Sequence, residues 1–523
     1  MKTLRVVCYA VNGAGTGHLC RLVGIARWLR RYAAWAGARA EIYFLTTSEA
    51  DALLFSERFA SFKLPSKTAA ADAKIDKSTY VALAKQWVWH SLGLLRPDLF
   101  VVDTFARGSF GELLGALDLC RARALVLRPM IESFARRPDV ASMLPLYDAI
   151  VVPEAEADAK DVVPDALRAR TRWLGPMCMR ERPEVLSRDE ARAGLGLAAD
   201  DFVVYATAGG GGDAAAEGHL ARVVDAALAA GARAVVGSGP LYRGAVVRRP
   251  GVVWLGSELA VPRMPAFDVA VSAAGYNSFV ELMWSGVPTV FLPQEKIADD
   301  QAARAARAER GGAGVVLPQG ATAEEIRRAI EALRADHARA AAAARALVPK
   351  NHAREAAAEL LRLALPPAVV DRAEAAVDDA LLTNAQRLGI EPEAAIELMH
   401  ALDGAAGEAT PARELGALAR HAERVLEAAG AAGASAEIAA RVAVAVVRRA
   451  PACRAGERAA AAAAVISACA PFEDWESAIA LVGARPATTA ERIDAEVAAL
   501  AAAARERGQS LLEAIAEARR AAR

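Results

Sequence analysis

VAVSAAGYNSFVE, residues Val269 to Glu281, is the stretch on which the reading of the fold turns. The apolar run Val269 to Val271 stops at Ser272. Small residues and Gly275 follow, and a helical pattern then begins near Tyr276 and carries Asn277, Ser278 and Glu281. A strand that breaks into a helix through such a turn lets backbone approach a ligand closely. The free N–H groups of the helix start also favour an anion. Glu281 lies about one helical turn further in, where its carboxylate can accept hydrogen bonds from sugar hydroxyls. The stretch reads as half of a nucleotide-sugar site.

The same strand–turn–helix logic recurs on either side. Phe202 to Ala206 is a strand that runs into Thr207-Ala208-Gly209-Gly210-Gly211-Gly212-Asp213 and a helix from His219. Ala234 to Val236, Val252 to Trp254 and Thr289 to Leu292 are further strands, and Asp299-Asp300-Gln301 opens another helix. Toward the N-terminus, Leu4 to Val11 leads into Asn12-Gly13-Ala14-Gly15-Thr16-Gly17-His18 and a helix with Leu22, Ile25, Ala26 and Leu29 on one face. Strands at Ala40 to Leu45, Leu99 to Val102, Ala124 to Leu127 and Ala149 to Val152 follow. Strands alternating with helices predict doubly wound parallel sheets whose ligands lie at the strand C-terminal ends. Asp103, Arg128 and the GAGTGH loop fall at such ends. Trp173-Leu174-Gly175-Pro176 marks a crossing. The expected architecture is α/β: two Rossmann-like, doubly wound domains facing a cleft, over 1–175 and 176–365. A C-terminal all-helical domain over 366–523 completes it, rich in Ala, Arg and Glu, without strand-like runs or a fixed repeat.

A chain of 523 residues exceeds one ordinary core. Lys+Arg and Asp+Glu both number 63, and that balance argues against nucleic acid as a partner. The six cysteines are scattered without a C-x-x-C pair, which fits reduced thiols in a cytoplasm. The first apolar run ends in a Gly-rich loop, unlike a signal peptide, and no stretch is long and apolar enough to span a bilayer.

Each motif carries a plainer alternative. GAGTGH is neither a G-x-G-x-x-G fingerprint nor a Walker A loop. It delivers one imidazole, His18, to the top of a sheet as a base or substrate contact; the alternative is a helix cap. Asp103 either orients His18 or ends a strand. Gly209 to Gly212 form a phosphate-approach loop or a merely flexible one. Asp299-Asp300-Gln301 hold sugar hydroxyls through carboxylate and amide, or Asp caps the helix. Arg27, Trp28, Arg30, Arg31, Tyr32 and Trp35 make a basic, aromatic helix end, readable as a membrane-surface patch or as a solvated face. No D-x-D pair occurs, which speaks against a metal-clamped diphosphate; a helix dipole and backbone N–H groups would serve instead.

GAGTGH, SAAGYNSFVEL, VPTVFLPQ and DDQ together resemble glycosyltransferases of the GT-B fold, family 28-like. PSKTAAADAKIDKSTYVALAKQWVW and PDLFVVDTFARGSFGELL resemble a bacterial group of predicted glycosyltransferases. The resemblance covers roughly residues 1 to 360. It implies an N-terminal acceptor-binding domain and a C-terminal domain binding the nucleotide-sugar donor. Glu281 would hold the ribose of UDP and Gln301 the donor sugar. Gly209 to Gly212 and the turn Gly275 to Ser278, with Asn277, would lie by the diphosphate. His18 would sit at the reaction centre, with Gly15, Gly17 and Arg128 on the acceptor side. The family inverts the anomeric carbon without a metal or other cofactor. The loop TAGGGGD departs from the family's usual form, and the region from 368 onward has no counterpart in its peptidoglycan member.

The expectation is therefore an inverting, metal-independent transferase that moves a sugar, for example an N-acetylhexosamine, from a UDP-sugar to an acceptor hydroxyl. Its expected place is the cytoplasm, with peripheral contact at the inner membrane face. Two alternatives stand beside it: a nucleotide-sugar epimerase or hydrolase on the same fold, and a nucleotide-sugar-binding regulator or scaffold. In the latter the helical tail engages a protein partner or a second copy.

Overall fold

The computed structural model describes residues 2–11, 16–159, 162–213, 215–296, 298–404, 410, 412–483 and 490–521. Contacts within the chain part it into two compact units. One holds Leu4–Leu29 and Glu41–Ala364; the other holds Arg30–Ala40 with the chain from Leu365 onward and its first residues.

The first unit contains two sheets. One has seven strands in the order β3-β2-β1-β4-β5-β6-β7. These are β1 (Lys2–Ala10), β2 (Ala38–Thr46), β3 (Ala60–Lys63), β4 (Leu99–Asp103), β5 (Arg123–Val126), β6 (Ala149–Val152) and β7 (Thr171–Trp173). The other has six in the order β10-β9-β8-β11-β12-β13. These are β8 (Val203–Thr207), β9 (Arg233–Gly237), β10 (Val252–Trp254), β11 (Val269–Ser272), β12 (Thr289–Phe291) and β13 (Gly314–Val316). In the second sheet every neighbouring pair is parallel, with Val271 opposite Ala206 and Ser272 opposite Phe291. In the first, β1 pairs parallel with β4.

Buried parallel strands must be covered on both faces, which is why they read as apolar runs. Val204, Ala206, Val269 and Val271 pack under Leu220, Val223 and Val224 of the helix Ala216–Ala229. The alternate residues Val203, Tyr205 and Ala270 point to the opposite face. There they meet Phe279, Leu282 and Met283, which share one stripe of the helix Tyr276–Ser285.

The two doubly wound sheets are as expected, but three strands escaped the sequence reading: β3, β7 and β13. Each sits at a sheet edge and is only three or four residues long. Edge strands need cover on fewer sides, so burial imposes little pattern on them. All four residues of β3 are exposed. Thr171–Trp173, partly taken for the crossing, is the last strand of the first sheet.

In the second unit, the described residues from Pro367 onward are helical with no strand among them. Arg30 Nε donates to Glu393 at 3.0 Å, and the Trp35 ring meets His400 edge-on. The readings of this basic, aromatic helix end as a membrane patch or a solvated face are both overturned. Trp28, Arg31, Tyr32 and Trp35 are buried. Arg27 is paired with Glu57 and Glu184. The alternation of Arg with aromatics serves packing here, with guanidiniums neutralised as they are buried.

Candidate functional site

In each sheet the strand order reverses beside the first strand of that half. The switch falls between β1 and β4 in one and between β8 and β11 in the other. Loops leaving such neighbouring strands diverge to opposite faces and open a crevice between them. The predicted motifs follow these four strands: GAGTGH after β1, Asp103 ending β4, the four glycines after β8, and Ala273 to Ser278 after β11.

On the first sheet His18 Nδ1 lies 2.5 Å from Asp103 Oδ1. Arg21 grips the same carboxylate with two bonds, Nε to Oδ2 at 2.8 Å and Nη2 to Oδ1 at 2.7 Å. Thr104 adds a hydroxyl donor at 2.8 Å. All of these side chains are buried, Asp103 completely. Burial alone would raise the Asp103 pKa, but the Arg21 charge and the hydrogen bonds from His18 and Arg21 outweigh it and hold the carboxyl well below its usual range. An ionised carboxylate only accepts, so the proton between the pair belongs to His18 Nδ1, and Nε2 keeps its lone pair. Burial also lowers the His18 pKa; Asp103 opposes this, while Arg21 and Arg128 reinforce it. The imidazole is thus neutral and basic at Nε2.

On the second sheet Ala274 takes a left-handed backbone with φ of 63°, and Thr104 does so at 60° at the end of β4. Such strain costs about 1–3 kcal/mol per residue and gathers at functional turns. The turn at Ala274 leaves Gly275 as the cap of the helix Tyr276–Ser285. Asn277 Nδ2 donates to Gly17 O at 3.1 Å, which ties this helix start to the His18 loop. Asn277 Oδ1 is buried without a hydrogen-bond partner among the described residues. Ser278 beside it is half-buried.

The glycine loop packs tightly. Gly211 has φ of 77°, and a Cβ there would lie 2.2 Å from the Ser238 carbonyl oxygen. Gly211→Ala is therefore expected to lower the melting temperature by several degrees, measured by thermal unfolding. Gly209 and Gly212 are exposed, and Gly210 is half-buried. A cavity of about 510 Å³ opens beside this loop, lined by Gly211, Gly212 and Tyr242 from one half and by Glu49, Ser66 and Thr68 from the other.

Glu281 is partly buried on the same helix, and its carboxylate has no hydrogen bond among the described residues. Burial raises its pKa to about 8, with only Arg180 opposing. The sign follows directly. Between the ordinary glutamate value and about 8 the folded chain holds a proton that the unfolded chain has lost, so this group's contribution to stability falls as pH rises through that window. Glu281→Gln is therefore expected to flatten the fall in thermal stability between about pH 6 and 8, followed by unfolding at several pH values.

Not every expected residue faces the crevice. Asp300 is exposed, and its Oδ1 accepts from Ala303 N at 2.9 Å, so it caps the helix Gln301–Arg310. Gln301 is buried and turned inward, accepting from Gln294 N at 2.9 Å through Oε1. Arg128 reaches across to Asp299, which also accepts from Arg304 Nη2 at 2.8 Å. Gly15 lies outside the described residues. Arg21 and Arg304 escaped the sequence reading, and Tyr276 and Asp299 entered it only as parts of helix-start segments. Spacing held a signal for both arginines: Arg21 is three residues after His18 and Arg304 three after Gln301, on shared helix faces.

Residues 258–361 match the family model described as the glycosyltransferase family 28 C-terminal domain, and the expected resemblance to that family is borne out there. The chain is 31% identical over 132 residues to the UDP-N-acetylglucosamine--N-acetylmuramyl-(pentapeptide) pyrophosphoryl-undecaprenol N-acetylglucosamine transferase of Clavibacter michiganensis subsp. michiganensis (strain NCPPB 382). That match takes in 25% of this chain and 36% of the relative, so the chain spans just over a third of the relative's length. Among solved structures, the glycotransferase of kitacinnamycin is similar with a TM-score of 0.47 at 16% identity, covering 70% of this chain and all of that one. CalG4, the calicheamicin glycosyltransferase, gives 0.46 at 17%, covering 72% and 98%. The spinosyn rhamnosyltransferase SpnG complexed with thymidine diphosphate gives 0.44 at 19%, covering 72% and 100%.

Proposed function

We propose that the protein is an inverting glycosyltransferase that moves a sugar from a UDP-sugar to an acceptor hydroxyl without a metal. The observation that carries this reading is the buried His18–Asp103 pair, set beside a strained strand-to-helix turn through the Asn277–Gly17 hydrogen bond. The acceptor hydroxyl attacks the anomeric carbon as its proton passes to His18 Nε2, and the diphosphate leaves. Inversion needs no protein nucleophile. The developing charge on the leaving group falls to the helix start at Tyr276 and to the glycine loop. Glu281 holds the ribose. The family match over 258–361 and the name of the curated relative support this reading of the donor half.

The test is incubation of the full chain, before and after EDTA treatment, with a panel of UDP-sugars and acceptor alcohols. UDP should appear only when an acceptor is present, in both preparations, and the new linkage should have the opposite anomeric configuration to the donor. UDP release without acceptor would make the protein a hydrolase or epimerase instead. Loss of turnover on chelation would remove the metal-free step.

A further inference from the structure

Two guanidiniums lie over the Tyr276 ring. Arg21 Cζ is 4.9 Å and Arg304 Cζ 5.4 Å from its centroid. Its hydroxyl donates to Pro153 O, and the whole side chain is buried. Arg21 is the residue that grips Asp103 through two nitrogens, and Asp103 in turn holds His18. Arg304 donates to Ala274 O at 2.7 Å, at the strained turn preceding Tyr276, and to Asp299. A continuous line of contacts thus runs from the donor-side turn through one aromatic ring to the imidazole of the other sheet.

We propose that Tyr276 is a positioning residue: its ring face holds Arg21 flat against Asp103, so that the donor-side helix fixes the tautomer and charge of His18. A guanidinium over a buried ring is attracted by the ring's negative face. That attraction adds to the two-bond carboxylate geometry in restricting Arg21 to one rotamer. The Arg21 Nη1 atom is buried without a hydrogen-bond partner among the described residues, so the ring, Asp103 and the Thr104 hydroxyl, which accepts from Nη2 at 3.3 Å, are what hold this side chain in place. The inference rests on the reading of His18 as the base, but its first consequence can be measured without turnover.

The groups facing His18 are Asp103, Arg21 and Arg128, with the Phe105 ring 5.1 Å away. Arg21 opposes protonation of His18, and Asp103 favours it. When Arg21 is no longer held, the Asp103 charge is less neutralised and His18 binds its proton more tightly. In Tyr276→Leu the His18 titration, followed by NMR of histidine-labelled full chain, should move up by about half a pH unit or more. Tyr276→Phe keeps the ring and loses only the hydroxyl, so its titration should stay at the wild-type value. In turnover the acid limb of kcat/KM should shift upward with the leucine variant. Its kcat should fall about tenfold, with the donor KM little changed. An unmoved His18 titration in Tyr276→Leu would overturn the proposal, as would a phenylalanine variant behaving like leucine. If the leucine variant does not fold, Arg21→Lys, which keeps the charge but not the flat two-bond grip, carries the same titration test. An unmoved His18 titration there overturns the proposal equally. A shifted titration in Tyr276→Leu beside a wild-type chain without transferase activity would count against the proposed reaction alone.

Discussion

Replacing His18 by alanine is expected to lower kcat for sugar transfer by about 10²- to 10⁴-fold, with the donor KM changed much less. The reason lies in which nitrogen is free. Asp103 is completely buried and ionised, and its Oδ1 lies 2.5 Å from His18 Nδ1, so the imidazole keeps the Nε2 lone pair available. Asp103→Asn should cost nearly as much, because an amide can donate to Nδ1 and reverse the tautomer. The two variants together should be far from additive, since each disables the same unit. Steady-state kinetics over pH 5 to 9 checks this. In the wild type the acid limb should lie below the ordinary histidine range, because burial lowers the His18 pKa. Turnover retained in both single variants would remove His18 as the base and would leave the fold untouched.

The second large effect concerns stability. Arg21→Met is expected to destabilise the sheet unit by about 3–5 kcal/mol, the usual result of leaving a buried charge without its partner. Arg21 and Asp103 are 1% and 0% exposed, so neither charge is screened by water. The sign of the pH dependence follows from the lowered Asp103 pKa. In the wild type this carboxylate contributes stability that is fully present above its unfolded value of about 4, and is lost as pH falls through the folded value. The gap between variant and wild type should therefore be widest at neutral pH and should narrow in acid. Arg21→Met combined with Asp103→Leu should recover part of the loss, because the uncompensated charge goes with it. Thermal unfolding followed at several pH values measures all three proteins. The quantity to compare is the transition of the sheet unit, since a chain of two compact units need not unfold in one step. Equal destabilisation at pH 3 and pH 7 would contradict the assignment of the cost to the buried charge.

The glycines after β8 and the turn after β11 were legible because chemistry restricts what can stand there. Only a residue without a side chain fits at Gly211, where a Cβ would lie 2.2 Å from the Ser238 carbonyl oxygen, and such runs stand out in any sequence. His18 was legible for a related reason, being a single imidazole on a loop that follows a buried strand. Asp300 shows the limit of this reading. Asp299, Asp300 and Gln301 look alike as polar residues at a helix start, yet Asp300 caps the helix while Asp299 meets Arg128 and Arg304. Which of two adjacent carboxylates turns inward depends on where two arginines from other elements arrive. The helix end Arg27 to Trp35 shows it again, since burial of its arginines required carboxylates as distant in sequence as Glu57, Glu184 and Glu393.

The sequence by itself determined the alternation of strands and helices, the parallel sheets and the Gly-rich turns that follow their strands. Those properties follow from local patterns: apolar runs of strand length, helical spacing and residues without a Cβ at turns. Only the tertiary structure decided that His18, Asp103 and Arg21 form one charge network and that Arg21 and Arg304 both lie over the Tyr276 ring. His18 and Asp103 are separated by 85 residues, and Arg21 and Tyr276 by three times that span. Such partners are chosen by which strands become neighbours at the switch points and by which buried charges must then be neutralised, and no local pattern records either.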